Sequence, residues 1–318
     1  MITDKMLNID ISLIVPCFNE EDMIPLFYKE VNSIIYELYN NGSIIKWEYI
    51  FIDDGSYDNT LNIIKNYANQ DNNVHYISFS RNFGKEAAML AGLKSAKGEY
   101  ILLLDVDLQH PPFLIKKMLE IAKKENYDCV VAKRTRKGEP LLRTLFSKCF
   151  YKIISKLADM EIIDGAGDFR LMNKNYVNCL LFFDERNRFS KGMYTWIGFK
   201  TKYIEYENIE RIAGITKWNF FKLFSYSLDG IIAFSTKLLA FSSIIGIISF
   251  FISFFFFILL ILRKIIFNVS VDGWTTIVCL IIFFGGIILL SIGILGQYLA
   301  KIYIEVKHRP QYIIKEMR

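Results

Sequence analysis

The stretch Tyr100-Ile101-Leu102-Leu103-Leu104-Asp105-Val106-Asp107-Leu108-Gln109-His110-Pro111-Pro112 decides the fold. Its apolar run, Tyr100–Leu104, reads as a buried strand of a parallel sheet, because such strands are covered on both faces. Pro111 and Pro112 stop the strand and hand over to the next helix. Asp105 and Asp107 therefore fall at the carboxyl end of a buried strand, where open α/β sheets bind ligands. Desolvating a carboxylate is costly, and a divalent cation holding a diphosphate would resolve that cost. Asp-x-Asp alone is common in surface loops, so its position carries the inference. A second acidic strand end upstream supports it: Trp47-Glu48-Tyr49-Ile50-Phe51-Ile52 runs into Asp53-Asp54-Gly55-Ser56.

Outward from these two strand ends, the first 135 residues alternate strand and helix. Strands are predicted at Ile11–Val15, Tyr49–Ile52, Val74–Phe79, Tyr100–Leu104 and Cys129–Ala132. Helices are predicted from Asn19 to about Tyr39 and over Thr60–Asn69, Lys85–Ser95 and Leu114–Lys124. That alternation implies a doubly wound α/β sheet. Asn72-Asn73, Lys97-Gly98 and Lys137-Gly138 mark turns. Leu141–Leu157 interleaves apolar and basic residues on a helical period, as a surface or interfacial helix would. Tyr203–Tyr206 reads as a further strand. Trp218–Phe234 reads as an amphipathic interfacial helix, with a core helix as the other reading. An extended piece is expected around Pro310-Gln311-Tyr312.

The chain has 318 residues, 53% of them hydrophobic, which exceeds the usual soluble range. The excess lies near the C-terminus, where residues 238–262 and 275–300 carry no charge. At about 1.5 Å per residue each run outspans the roughly 30 Å hydrocarbon core. The expected layout is an N-terminal α/β domain over 1–215, an interfacial helix over 216–236, two membrane spans within 237–300 and a basic tail over 301–318. The N-terminal stretch lacks the apolar core of a signal peptide, since Ile11–Val15 is too short. The N-terminal domain is therefore expected in the cytoplasm and the spans as a hairpin with both ends inside. Lys301, Lys307, Arg309, Lys315 and Arg318 after the second span agree; Arg263 and Lys264 between the spans do not.

Cys17, Cys129, Cys149, Cys179 and Cys279 form no Cys-x-x-Cys pair, which argues against a zinc site and fits reduced thiols. His110 follows the acid pair as a weaker candidate. The net charge of +5, without a nucleic-acid-binding signature, suggests phosphate ligands and anionic lipid and no nucleic acid.

The motifs form an ordered series. Leu13-Ile14-Val15-Pro16-Cys17-Phe18-Asn19-Glu20-Glu21 closes the first strand and Asp53-Asp54-Gly55-Ser56-x-Asp58-x-Thr60 the second. Ser80-Arg81-Asn82-Phe83-Gly84-Lys85 closes the third and Asp105-Val106-Asp107-Leu108-Gln109 the fourth. Gly167-Asp168-Phe169-Arg170 and Arg211-x-x-Gly214-x-Thr216-Lys217-Trp218 follow. This series resembles the inverting nucleotide-sugar glycosyltransferases of the glycosyltransferase-A fold. It is more similar to the polyisoprenyl-phosphate glycosyltransferases: the bactoprenol glucosyltransferases and dolichyl-phosphate mannose synthases. The ending Gly296-Gln297-Tyr298-Leu299-Ala300-Lys301-Ile302-Tyr303-x-Glu305-Val306-Lys307-x-Arg309-Pro310 resembles the bacterial two-span members, so the likeness covers nearly the whole chain. Thr216 stands where serine is commoner, and Cys17 is unusual for the family.

The resemblance implies a membrane glycosyltransferase of the bacterial inner membrane. It would transfer a sugar, with glucose from UDP-glucose favoured, to undecaprenyl phosphate with inversion. Pro16, Asn19, Glu20 and Asp53 would meet the nucleoside, with Asp54, Lys85 and Val106 also in the donor site. Asp105, Asp107 and Gln109 would hold Mg2+ or Mn2+, an all-oxygen set that suits either ion. Arg211 and Lys217 would close over the diphosphate, where charge grows as the leaving group departs. Arg134, Arg143 and Ser147 would bind the lipid phosphate, with Arg136 an additional candidate. Asp168 would act as base or would orient the acceptor or the sugar.

Other readings share the sequence. GDP-mannose, UDP-N-acetylhexosamine or UDP-aminoarabinose could be the donor. A processive polysaccharide synthase would show a Gln-x-x-Arg-Trp motif and more spans. A non-catalytic scaffold would have lost Asp105 or Asp107, and both are intact. A channel or flippase finds no intramembrane charge in either span. A homo-oligomer is left open.

Overall fold

The computed structural model describes residues 9–135, 155, 163–207, 232, 234–267 and 273–318. Its eight-stranded sheet comprises β1 (Ile11–Cys17), β2 (Trp47–Asp53), β3 (Val74–Phe79), β4 (Tyr100–Leu103), β5 (Cys129–Arg134), β6 (Ala166–Asn173), β7 (Thr201–Tyr206) and β8 (Ile314–Met317), in the order β7-β5-β6-β4-β1-β2-β3-β8. Between them lie α1 (Met23–Asn40), α2 (Thr60–Gln70), α3 (Lys85–Ser95), α4 (Leu114–Glu125), α5 (Lys174–Leu181) and α6 (Ser190–Trp196).

Alternation along the strands builds two cores. In β1, Ile11, Leu13 and Val15 face one side with Phe27, Phe51 and Met118, while Ile14 faces the other with Ile52, Met89 and Leu103. Period-two side chains on a sheet covered by helices on both faces produce this split. α3 lies close against the sheet at Gly92, where a Cβ would come within 2.3 Å of Ile14 Cγ2.

The sheet is mixed: β4 pairs parallel with β1 as expected, whereas β6 runs antiparallel to β4 and β5, and β8 antiparallel to β3. α1 begins at Met23 rather than at Asn19: Asn19 adopts a positive φ of 53°, which asparagine tolerates, and Met23 N–H donates to the Glu20 carbonyl in a turn. β1, β2, β5 and β7 are each longer than their apolar runs suggest.

Two long helices follow, α7 (Lys237–Phe267) and α8 (Trp274–Val306). Lys237–Leu259 and Leu280–Val306 are long and apolar enough to cross a membrane, and the chain buries none of either. Such exposed apolar surface requires an apolar surrounding, and these helices fit membrane association. The helices predicted at Leu141–Leu157 and Trp218–Phe234 lie largely outside the described residues.

After α8 the chain returns to the sheet. Glu305 accepts from the backbone N–H groups of Arg186 and Asn187, Tyr312 stacks on Phe79 with ring centroids 4.9 Å apart, and β8 pairs with β3.

Candidate active site

β1 has β2 on one side and β4 on the other, so the chain reverses its direction of sheet building at the β1/β4 boundary. A crevice opens beyond the carboxyl ends of these strands, as it does at such switch points generally. β6 runs the opposite way, so its beginning reaches the same edge: Leu103 pairs with Arg170, and Asp168 lies two residues nearer the crevice. β5 and β7 are parallel to each other and also end there, with Arg134 opposite Tyr206.

At the β1 and β2 ends the polar motifs bind one another. Asn19 N–H donates to Ser56 Oγ at 3.0 Å, and Tyr57 N–H donates to Asn19 Oδ1 at 3.0 Å. Glu20 N–H donates to Thr60 Oγ1 at 2.8 Å, and Asn59 N–H to Glu21 Oε2 at 2.9 Å. Asp53 is 1% exposed, with one oxygen accepting from Ser56 N–H (3.0 Å) and the other from Ser78 Oγ (2.7 Å). Asp54 accepts from Phe83 N–H (2.6 Å) and Gly84 N–H (2.9 Å), joining the β2 end to the β3 loop. Gly55 lies where they meet: its φ is +68°, and a Cβ would come within 2.4 Å of the Arg81 carbonyl carbon. Burial pushes the Asp54 carboxyl above its ordinary pKa, against the lowering effect of its two N–H donors.

The β4 end is held by charge. Lys85, the first residue of α3, reaches Asp105 Oδ1 at 2.7 Å and Asp168 Oδ2 at 2.6 Å. Burial opposes ionisation of Asp105, but Lys85 and then His110 outweigh it and hold the carboxyl below the usual carboxylate range. Asp168 is lowered in the same way, burial being outweighed by Lys85. Burial also opposes the charge on Lys85, and the two carboxylates reverse that and raise it. Asp107 Oδ1 accepts from Gln109 N–H at 3.1 Å, which closes a tight turn around Leu108.

These ends enclose a cleft of about 770 Å³, within the usual range for a small-molecule site. Its lining carries six carboxylates, on Glu20, Asp54, Glu86, Asp105, Asp107 and Asp168, against two lysines, Lys85 and Lys191. Lined in this way, the described surface repels an anionic diphosphate unless a cation enters with it. Asp105, Asp107 and Gln109 share the cleft, and among the described residues no group of three His, Cys, Asp or Glu could cage a metal alone. Two carboxylates and an amide oxygen fit a hard divalent ion whose remaining ligands come from water and phosphate.

Of the sequence candidates, Pro16, Glu20, Asp54, Lys85, Asp105, Val106, Asp107, Gln109 and Asp168 line this cleft. Asn19 and Asp53 are engaged in the clasp behind it. Arg134 ends β5 at the same sheet edge, its backbone N–H donating to the Gly165 carbonyl. Arg136, Arg143, Ser147, Arg211 and Lys217 lie outside the described residues. Sequence reasoning passed over Glu86 and Lys191, which no motif flags. Glu86 accepts a short hydrogen bond from Ser190 Oγ at the start of α6.

The profile of glycosyl transferase family 2 matches residues 12–181. A prophage bactoprenol glucosyl transferase homolog of Escherichia coli (strain K12) is 42% identical over 309 residues, 97% of this chain and 99% of that protein. The bactoprenol glucosyl transferase of Shigella phage SfV is 42% identical over 306 residues, 96% of this chain and 98% of that protein. Among solved structures, glucosyl-3-phosphoglycerate synthase from Mycobacterium tuberculosis, in complex with Mn2+, UDP-glucose and phosphoglyceric acid, is similar at 16% identity with a TM-score of 0.47, covering 70% of this chain and 77% of that one.

Proposed function

The chain belongs to glycosyl transferase family 2, and from that premise we propose that it transfers glucose from UDP-glucose to the phosphate of bactoprenol, that is, undecaprenyl phosphate. Its mixed α/β sheet is of the glycosyltransferase-A type. The observation that carries the proposal is the end-to-end match to bactoprenol glucosyl transferases, which includes the two apolar helices as well as the cleft. A lipid acceptor gives those helices a purpose: they hold the cleft beside the plane where the acceptor phosphate lies.

A phosphate oxygen of the acceptor attacks the anomeric carbon from the face opposite the diphosphate. The carbon–oxygen bond to UDP breaks with its electron pair leaving on UDP, and the product is a β-linked polyprenyl phosphate glucose. Asp105, Asp107 and Gln109 would hold Mg2+ or Mn2+, which neutralises charge developing on the diphosphate. Lys85 and the N-terminus of α3 face the same space and favour an anion there. Arg211 and Lys217 are assigned to the departing diphosphate, and Arg134, Arg143 and Ser147 to the lipid phosphate. Asp168, paired with Lys85 and held below its ordinary pKa, is a weak proton acceptor and suits orientation of sugar or acceptor. A phosphate monoester is already mostly dianionic near neutral pH and needs little base.

The catalytic domain over 1–215 would face the cytoplasm of the bacterial inner membrane, where nucleotide sugars are available. Residues 216–236 would lie at the interface, 237–300 would span the membrane, and the 301–318 tail would return to the catalytic sheet. The test is a membrane assay with labelled UDP-glucose, UDP-N-acetylglucosamine, UDP-galactose and GDP-mannose against undecaprenyl phosphate. Label should move to the lipid from UDP-glucose; preferential transfer from another donor refutes the sugar assignment.

A further inference from the structure

His110 stands between two strand ends. Its Nδ1 is 2.8 Å from the Tyr206 hydroxyl at the end of β7, and its Nε2 is 3.7 Å from Asp105 Oδ2 beyond β4. The ring lies tilted on Phe169 of β6, centroids 5.1 Å apart, and meets Tyr206 edge-on at 5.8 Å. Its side chain is 14% exposed and does not line the cleft, whereas Asp105 does.

We propose that His110 is a positioning residue that aims the Asp105 carboxylate at the divalent ion, with Tyr206 setting the ring from the far side. This rests on the reading of Asp105 as a metal ligand. Among the described contacts Asp105 faces only two side-chain donors, Lys85 and His110. Lys85 is a long chain whose ammonium also serves Asp168, so it fixes charge better than direction. The imidazole is rigid and clamped by two aromatic rings. With Nδ1 turned to the Tyr206 hydroxyl, the ring presents Nε2 to Asp105. Partners behind a metal-binding carboxylate orient it and tune affinity in this way. The arrangement also ties the strand end beyond β4 to the end of β7.

The experiment measures Mn2+ affinity by electron paramagnetic resonance of free Mn2+, on the purified full chain with saturating UDP, alongside thermal melting. Asp105→Asn should abolish binding. His110→Ala should weaken it about 10- to 100-fold. Tyr206→Phe, which removes only a hydroxyl, should weaken it by a smaller factor with Tm unchanged. His110→Gln, which keeps a donor toward Asp105, should fall between His110→Ala and the wild type. If Asp105→Asn loses Mn2+ while the His110 and Tyr206 variants keep wild-type affinity, the ring only packs and the proposal is overturned. If Asp105→Asn binds Mn2+ normally, the metal assignment itself fails. Should His110→Ala not fold, Tyr206→Phe and His110→Gln decide.

Discussion

The two acidic strand ends use the same side chain in opposite ways. After β2, Asp53 and Asp54 are occupied by hydrogen bonds from Ser56, Ser78, Phe83 and Gly84, donors that hold the loops in place. After β4, Asp105 and, from β6, Asp168 share one lysine, and Asp105 and Asp107 open on the cleft. Carboxylates neutralised by fixed backbone dipoles build a wall. Carboxylates neutralised by a side-chain cation can exchange that cation for a metal. The difference lies in the donors, not in the acids.

The largest effect expected from this contrast is on chemistry at the β4 end. Asp107→Ala should lower glucosyl transfer by several orders of magnitude, because neutralising a leaving diphosphate is worth several kcal/mol. Chelation with excess EDTA should do the same, and full activity in EDTA would break the comparison.

At the β2 end the expected loss is in stability. Asp54→Asn removes the charge from two short backbone hydrogen bonds and should cost about 1.5–3 kcal/mol by denaturant unfolding. UDP-glucose KM should rise, since Phe83 and Gly84 line the cleft, while Mn2+ affinity stays unchanged. An Asp54 variant that lost Mn2+ would make the β2 end part of the metal-holding set.

Lys85→Met sharpens the contrast through pH. The pKa values of Asp105 and Asp168 are depressed in the folded chain, so they add stability above about pH 4, where unfolded carboxylates ionise. That stability falls away as pH drops through the folded values. Without Lys85 the largest lowering influence on both is gone and burial raises them, opposed by His110 at Asp105 and Lys191 at Asp168, so the loss of stability at low pH should shrink or reverse. The effect at neutral pH should be about 1 kcal/mol, discounted because the Lys85 side chain is 43% exposed. Unfolding midpoints between pH 3 and 7 measure it; an unchanged profile would mean the pair carries no net charge coupling.

The smallest effect is expected far from both ends. Lys65 and Glu316 join the helix after β2 to β8 at 2.7 Å, each about one-third exposed. Lys65→Ala should change stability by less than about 1 kcal/mol and leave transfer unchanged. A large loss of activity there would make the returning tail part of the catalytic site.

Reading the sequence located the β1–β5 strands because each is a near-continuous apolar run ending in polar motifs, a pattern that burial on both faces imposes. The same logic placed Asp105 and Asp107 at a strand end, and the absence of charge over 238–262 and 275–300 marked α7 and α8. β6 was not legible: Ala166-Gly167-Asp168-Phe169-Arg170 has no apolar run, because Asp168 faces the cleft and Arg170 is buried as a charge. β8 was not legible either, since Ile314-Lys315-Glu316-Met317 is an edge strand with mostly exposed side chains.

What the sequence determined by itself was therefore local: which segments are buried, where they stop, and which acids stand at the stops. What only the tertiary structure decided was partnership. Asp53, Asp54, Asp105 and Asp168 are alike as sequence, and nothing local says that Ser78 would take one, two backbone N–H groups the next and a single lysine the last two. Those partners arrive from β3, from the loop after it and from the start of α3, brought there by sheet order and strand direction. Electrostatic character depends on the distance and mobility of the neutralising group, which is a property of the folded neighbourhood and not of the chain.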